Sequence, residues 1–283
     1  MNKIDYNGIL GLPSQTVKRL TTGIDEVDWL YSNTIGDDGI AVWGLPEGKI
    51  SLWAGAPGVG KSRAAKHLAV VVKIKVVKDI NGNDGYFNVK YFYLEEGMQP
   101  LALIIDELRR VKYQFAVIDS INTIKEYGSG SEKNVRLIID ELRKVCEETG
   151  VHVLLLCQLA KDGEIRGSSV LLHLPDVVMR LRRGFISDEN VFIPNEGNYF
   201  TLETTGKHRF GPTGSKYAVN WMHLDAGVGL ASERRLNDPV WCDTHGLPEP
   251  GLEEEETEEE YVPMGIWDSF KQGLKQGYEE WWK

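Results

Sequence analysis

Along the chain, apolar and polar positions change rhythm in an order that alternates strand with helix. An apolar run over 49–54 is followed, after a glycine-rich turn, by a helical pattern over 61–72. Residues 88–94 read as a strand ending on Glu95 and Glu96, and 100–110 as a helix with Leu101, Ile104, Ile105 and Leu108 on one face. The next strand, 114–118, ends on Asp119; a longer helix covers 132–149 and a further strand 151–157. Strands separated by helices, with polar residues collected at strand ends, predict an α/β fold: a parallel sheet with helices on both faces. From Asp176 onward the pattern changes. The runs 177–181, 199–204 and 217–222 have no helical stretch between them and predict an antiparallel extension on the C-terminal side of the sheet. No internal repeat is present.

Between the first strand and its helix lies Gly55-Ala56-Pro57-Gly58-Val59-Gly60-Lys61-Ser62, which matches GxxxxGK[ST]. In such a loop the glycines let backbone N–H groups turn inward around a phosphate, the lysine reaches the β/γ oxygens and the hydroxyl serves magnesium. The expectation is a P-loop ATPase using ATP and Mg2+, with Gly55 to Ser62 as the nucleotide loop and Lys61 as its catalytic cation. A magnesium site also needs an acid at a neighbouring strand end, and Asp119 follows the apolar Phe115-Ala116-Val117-Ile118. Glu95 is the candidate that orients the hydrolytic water, with Glu96 as the alternative.

Charge refines the domain picture. The net charge is −10, but residues 249–283 hold eleven acids against three lysines, or −8. The remaining 248 residues carry 31 acids and 29 bases, so a local basic surface is compatible with the composition. We expect a core over 1–248, with its motifs within about 19–230, then an acidic segment over 249–260 with too little apolar content to pack. Beyond it, Trp267, Phe270, Leu274, Tyr278, Trp281 and Trp282 recur at helical spacing over 261–283. That tail is either a helix folded back on the core or a peptide that docks a protein partner. Cys146, Cys157 and Cys242 form no CxxC pair and suggest buried thiols rather than a disulfide framework or a zinc site. No apolar run approaches the roughly 18 residues of a membrane span, and residues 1–15 hold no apolar signal core, so a cytoplasmic protein is expected.

Three segments carry a family resemblance. Thr22-Gly23-Ile24-Asp25-Glu26-Val27-Asp28 ahead of the loop, Val117-Ile118-Asp119-Ser120-Ile121 at the second acid, and Lys207-His208-Arg209-Phe210-Gly211 together resemble the RecA superfamily, and within it the bacterial RadA branch. The segment Gln158-Leu159-Ala160-Lys161-Asp162-Gly163-Glu164-Ile165-Arg166-Gly167 resembles that branch's second DNA-facing loop. The similarity runs over about 19–224 and implies a RecA-like core. It also implies magnesium at Ser62 and Asp119, Glu95 as water activator, and Gln158 as a sensor between the γ-phosphate and the following loop. Lys207 and Arg209 would reach the nucleotide of a neighbouring subunit, making a homo-oligomeric ring or filament with shared sites the working form. Single-stranded DNA would meet Lys161 and Arg166, with 122–134 as a second loop whose one aromatic is Tyr127.

The chain also departs from that branch. RadA proteins carry an N-terminal zinc module and a C-terminal protease-like domain, neither of which is expected here. Only 24 positions separate Glu95 from Asp119, and the loop over 31–42 is longer than the pattern leads one to expect. The expected function is ATP-dependent work on single-stranded DNA in recombination or repair, by annealing, strand exchange or branch migration. The alternatives are a replicative helicase motor and a KaiC-like regulatory ATPase that binds protein rather than DNA. The basic pair before Phe210 favours DNA.

Overall fold

The computed structural model describes residues 18–32, 34–35, 41–42, 44–74, 76–78, 84–94, 97–159, 169–187, 191–195, 199–210, 218–223 and 230–232. Ahead of the main sheet, α1 (Asp25–Ser32) is set by the Thr22 to Asp28 motif. The Asp28 carboxylate accepts from the Thr22 N–H at 2.8 Å and from its hydroxyl at 2.8 Å, and Thr22 Oγ1 accepts from the Ile24 N–H at 3.1 Å. Both Thr22 and Asp28 are buried, so this local closure satisfies polar groups that would otherwise be costly there. The long 31–42 stretch contains a short antiparallel pair, Thr34–Ile35 with Ala41–Val42.

The sheet and its helices follow in chain order as β1 (Ile50–Gly55), α2 (Lys61–Ile74), β2 (Val89–Tyr93), α3 (Leu101–Arg110), β3 (Phe115–Asp119), α4 (Glu132–Thr149) and β4 (His152–Gln158). Five more strands complete it: β5 (Val177–Ile186), β6 (Phe192–Pro194), β7 (Tyr199–His208), β8 (Ala218–His223) and β9 (Leu230–Ser232). These nine strands form one sheet in the order β9-β8-β7-β5-β1-β4-β3-β2, with β6 paired to β5 outside that path. Because both faces are covered, β1 and β3 are buried at every position, as their unbroken apolar runs require.

Successive residues of each strand supply opposite faces. On one side Leu30, Leu68 and Val72 of α1 and α2 pack against Trp53, Val117 and Leu154. On the other, Ile104 and Leu108 of α3 and Ile138 and Leu142 of α4 pack against Leu52, Ile118 and Leu155. The four residues expected on the inner face of α3 are its buried ones.

The C-terminal strands correct the sequence reading in two ways. β5 is parallel to β1, and the antiparallel part begins only with its other neighbour, β7. Both strands are ten residues long, well past the apolar runs that marked them. Charged residues continue the ladder because they find partners on it: Arg182 pairs with Glu203, and its guanidinium stacks 3.9 Å from the Phe192 ring. Cys146 and Cys157 are free, buried thiols. Among the described residues no helix is long and apolar enough to cross a membrane. Cys242, the acidic segment and the aromatic tail lie outside the described residues.

Candidate nucleotide site

Between the end of β1 at Gly55 and the start of α2 at Lys61 the chain reverses direction, and the glycines there serve two different needs. Gly55 lies beside β5, opposite Leu181; a Cβ on it would sit 2.8 Å from the Leu181 oxygen and 2.9 Å from Val59 Cγ1. Gly58 and Gly60 have open space around them but φ of 76° and 95°, a region L side chains rarely adopt. Val59 plugs the apolar cluster under α2, while 56–58 stay exposed. The loop is therefore anchored at one point and presents its main chain, together with the N–H groups of the helix start, to the outside. Lys61 Nζ donates to the carbonyls of Gly55 and Ala56, both at 2.8 Å, which holds the ammonium over the loop.

Register sets Gln158 level with the loop and Asp119 two residues short of it. Gln158 pairs with Gly55, and Asp119 pairs with Leu156 of β4 and Tyr93 of β2. The Gln158 N–H donates to Asn122 Oδ1 at 3.1 Å, tying the end of β4 to the turn after β3. Asp119 is 3% exposed, and its Oδ2 accepts from the Tyr91 hydroxyl at 2.7 Å. That same hydroxyl lies 3.4 Å from the Ser62 carbonyl oxygen, so the first turn of α2 and the end of β3 meet at one phenol. No cluster of three or more metal-binding side chains occurs among the described residues. Magnesium beside a nucleotide takes most of its ligands from phosphate and water and needs one or two protein oxygens. The Ser62 hydroxyl and the Asp119 carboxylate form a donor set of that kind.

No family model matches the chain. It is 27% identical over 212 residues to the DNA repair protein RadA of Aquifex aeolicus, covering 70% of this chain and 43% of that protein. With the DNA repair protein RadA of Campylobacter jejuni it shares 31% identity over 168 residues, covering 50% and 38%. Its fold matches a solved ATPase domain with a TM-score of 0.54 at 16% identity, over 80% of this chain and 95% of that one. This is a RecA-superfamily ATPase core, close to RadA. The chain spans less than half the length of these RadA relatives.

In this RecA-like core Lys207 and Arg209 lie at the opposite edge of the sheet from the phosphate loop. His208 pairs with Val177, which pairs with Ser51, while Gly55 is four residues further along β1. Arg209 is level with Asp176: its N–H donates to the Asp176 carbonyl at 3.1 Å and its Nη1 to Oδ1 at 2.9 Å. The other carboxylate oxygen, Oδ2, accepts from the Ile50 N–H at 3.0 Å. At a strand's rise per residue, Ile50 to Gly55 is roughly 16 Å, beyond the reach of one arginine. Lys207 Nζ donates to the His173 carbonyl at 2.6 Å, and burial, aided by neighbouring Arg209, lowers its pKa.

Lys61, Ser62, Asp119 and Gln158 thus gather at the edge that holds the Gly55 to Ser62 loop, and the basic pair gathers at the other. Glu95, Glu96, Lys161 and Arg166 lie outside the described residues. One reading is corrected. Tyr127 is 4% exposed, packed among Ile124, Val135 and Leu159, and its carbonyl accepts from the Gly130 N–H and the Asn134 side chain. Its ring has no face to offer a base, because the Gly- and Ser-rich stretch folds as two 3-10 turns under α4 rather than as an open loop. Sequence reading also missed Tyr91, Asn122 and Asp176. Each acts across strands or turns far apart in sequence, and the linear pattern carried no signal for them.

Proposed function

We propose that the chain binds and hydrolyses ATP with magnesium as a homo-oligomer, and that it acts on single-stranded DNA in recombination or repair, in the cytoplasm. The observation that carries the nucleotide part is the anchored Gly55 to Ser62 loop, with Lys61 held over it and Asp119 linked through Tyr91 to the first turn of α2. The loop N–H groups and Lys61 hold the β/γ-phosphates, and Ser62 and Asp119 hold the metal. Magnesium, when bound, neutralises charge on the phosphate oxygens. Glu95, or Glu96 beside it, orients the attacking water. Gln158, level with Gly55, relays the state of the γ-phosphate to the segment that follows β4.

Arg209 is too far from its own loop to serve it, which supports a role for Arg209 and Lys207 at the nucleotide of a neighbouring copy. In that role Arg209 leaves Asp176. The DNA part is supported by the names of the RadA relatives and by sequence connectivity, since Lys161 and Arg166 come two and seven residues after Leu159, whose N–H donates to the Gly55 carbonyl. Annealing, strand exchange and branch migration are the activities in view.

The test measures ATP turnover and DNA affinity with single-stranded DNA over a range of salt, for the wild type and for Lys161→Ala with Arg166→Ala. DNA should stimulate wild-type turnover, and the double variant should lose about one to two units from the slope of log affinity against log salt. Turnover indifferent to DNA removes the DNA part and favours a regulatory ATPase that binds protein. Processive unwinding favours a helicase motor.

A further inference from the structure

We infer that Tyr91 is the positioning residue of the magnesium site, acting through Asp119 without touching the metal or the nucleotide. The inference rests on the proposed nucleotide site and adds a residue that no motif contains. Tyr91 sits two residues before Tyr93, the register partner of Asp119. Two residues of strand are about 6.6 Å, a span that a tyrosine side chain covers, so the phenol runs along the sheet face and ends at the carboxylate. The residue is 7% exposed and packs in the apolar cluster beneath α2 with Val117 and Leu68. Over that ring and the ring of Tyr93 lies Lys66 Nζ, at 5.7 and 4.8 Å from their centroids.

As a core element the position needs only an aromatic ring, and phenylalanine would fill it. The hydroxyl does something packing does not require. It donates to Asp119 Oδ2 at 2.7 Å and stands 3.4 Å from the carbonyl of Ser62, the other candidate metal ligand. A buried carboxylate free to rotate about its last bond presents either oxygen to the site. One fixed by a short hydrogen bond at Oδ2 leaves Oδ1 as the oxygen a metal would use. Partners of this kind set the orientation of a ligand, and losing them costs metal affinity about 10- to 100-fold.

The experiment uses the full chain, wild type and Tyr91→Phe, with a fluorescent ATP analogue. Its affinity is measured in EDTA and across a magnesium titration, and manganese binding to the protein–nucleotide complex is read by electron paramagnetic resonance. Tyr91→Phe should need about tenfold more magnesium for half-maximal nucleotide binding and should bind manganese more weakly by a similar factor, while its affinity in EDTA is unchanged. Asp119→Asn sets the scale of full loss. A purely structural role would shift the melting temperature and leave the metal requirement alone, and that result overturns the inference. So does an equal loss of affinity with and without metal. If the wild type binds the analogue under neither condition, the nucleotide reading falls and takes this inference with it. If the wild type binds and Tyr91→Phe matches its metal requirement, only the role of Tyr91 falls.

Discussion

At the carboxyl end of β1 the loop over 56–58 is exposed, Lys61 leans on two carbonyls, and the buried Asp119 is held through one oxygen by a phenol. The rest of the same strand, from Trp53 back to its amino end, is closed. There Trp53 Nε1 donates to the Tyr31 hydroxyl at 3.0 Å, Tyr31 donates to Ser51 at 3.1 Å, and Ser51 stands 2.7 Å from His152 Nε2. His152 Nδ1 lies 2.8 Å from the Pro46 carbonyl, which can only accept, so Nδ1 carries the proton and Nε2 accepts from Ser51. A few residues away Asp176 takes both Arg209 and the Ile50 N–H, and His208 Nε2 meets the Leu30 carbonyl at 2.8 Å. One edge exposes its main chain at 56–58; at the other the polar side chains are consumed by each other. Polar groups alone do not mark a site, and the exposed main chain separates the two edges.

The largest expected effects break this contrast by removing one cation from each edge. Lys61→Ala should lose ATP turnover to the limit of detection, because it deletes the cation on the β/γ-phosphates. Arg209→Ala should bind ATP and assemble normally, yet lose about 10³-fold in turnover if the inserted cation completes a neighbour's site. This substitution also leaves the Asp176 carboxylate without its partner, so turnover is to be measured well below the melting temperature. Mixing the two variants should restore partial activity, since Arg209→Ala subunits keep intact loops and Lys61→Ala subunits keep intact cations. If crosslinking shows co-assembly and turnover stays flat, the sites are not shared.

The same contrast explains what the sequence revealed. The phosphate loop, α3, α4 and the strand ends at Gly55 and Asp119 depend on spacing within a few residues, so periodicity and one motif sufficed for them. β5 and β7 were read short because their apolar runs stop at Leu181 and Thr204, whereas beyond those points Arg182 has an ion-pair partner on the next strand and Lys207 a carbonyl acceptor. Tyr127 stood as the one aromatic of a candidate DNA loop, although it is buried in the cluster that α4 also joins. Tyr91 was read only as part of the strand over 88–94, since the register of β2 against β3 is what sets its hydroxyl on Asp119.

A smaller effect belongs to the closed edge and depends on pH. Burial is the main reason the His152 pKa falls from 6.5 to about 4; the Pro46 carbonyl and Asp176 pull it upward and Arg19 pushes it further down. The folded state thus holds His152 neutral where the unfolded chain takes up a proton below about pH 6.5. This contribution is complete above about pH 6.5, is lost as pH falls toward 4, and amounts to about 3 kcal/mol. His208, whose pKa burial also lowers, acts in the same direction. Chemical denaturation at about pH 7.5, 5.5 and 4 should show stability falling along this path. A flat profile would mean that the chain from Trp53 to His152 opens to water.

The smallest expected effect sharpens the comparison most, because it applies one chemical change to both edges. Tyr31→Phe removes the hydroxyl that accepts from Trp53 and donates to Ser51, and both of those residues are fully buried. The substitution leaves an indole N–H without its acceptor and a serine without a donor, a cost of about 2 kcal/mol. Tyr91→Phe removes a hydroxyl from a carboxylate at the other edge. If the closed edge is structural and the open edge functional, the two variants should exchange signatures. Tyr31→Phe should lower the denaturation midpoint and keep the wild-type magnesium requirement for nucleotide binding, and Tyr91→Phe should show the metal shift as its main effect. Because the two hydroxyls share no hydrogen-bond partner, the double variant should show both effects added together within about 0.5 kcal/mol. A Tyr31→Phe protein that needs more magnesium would show that the two edges are coupled through β1, and the division between them would then have to be abandoned.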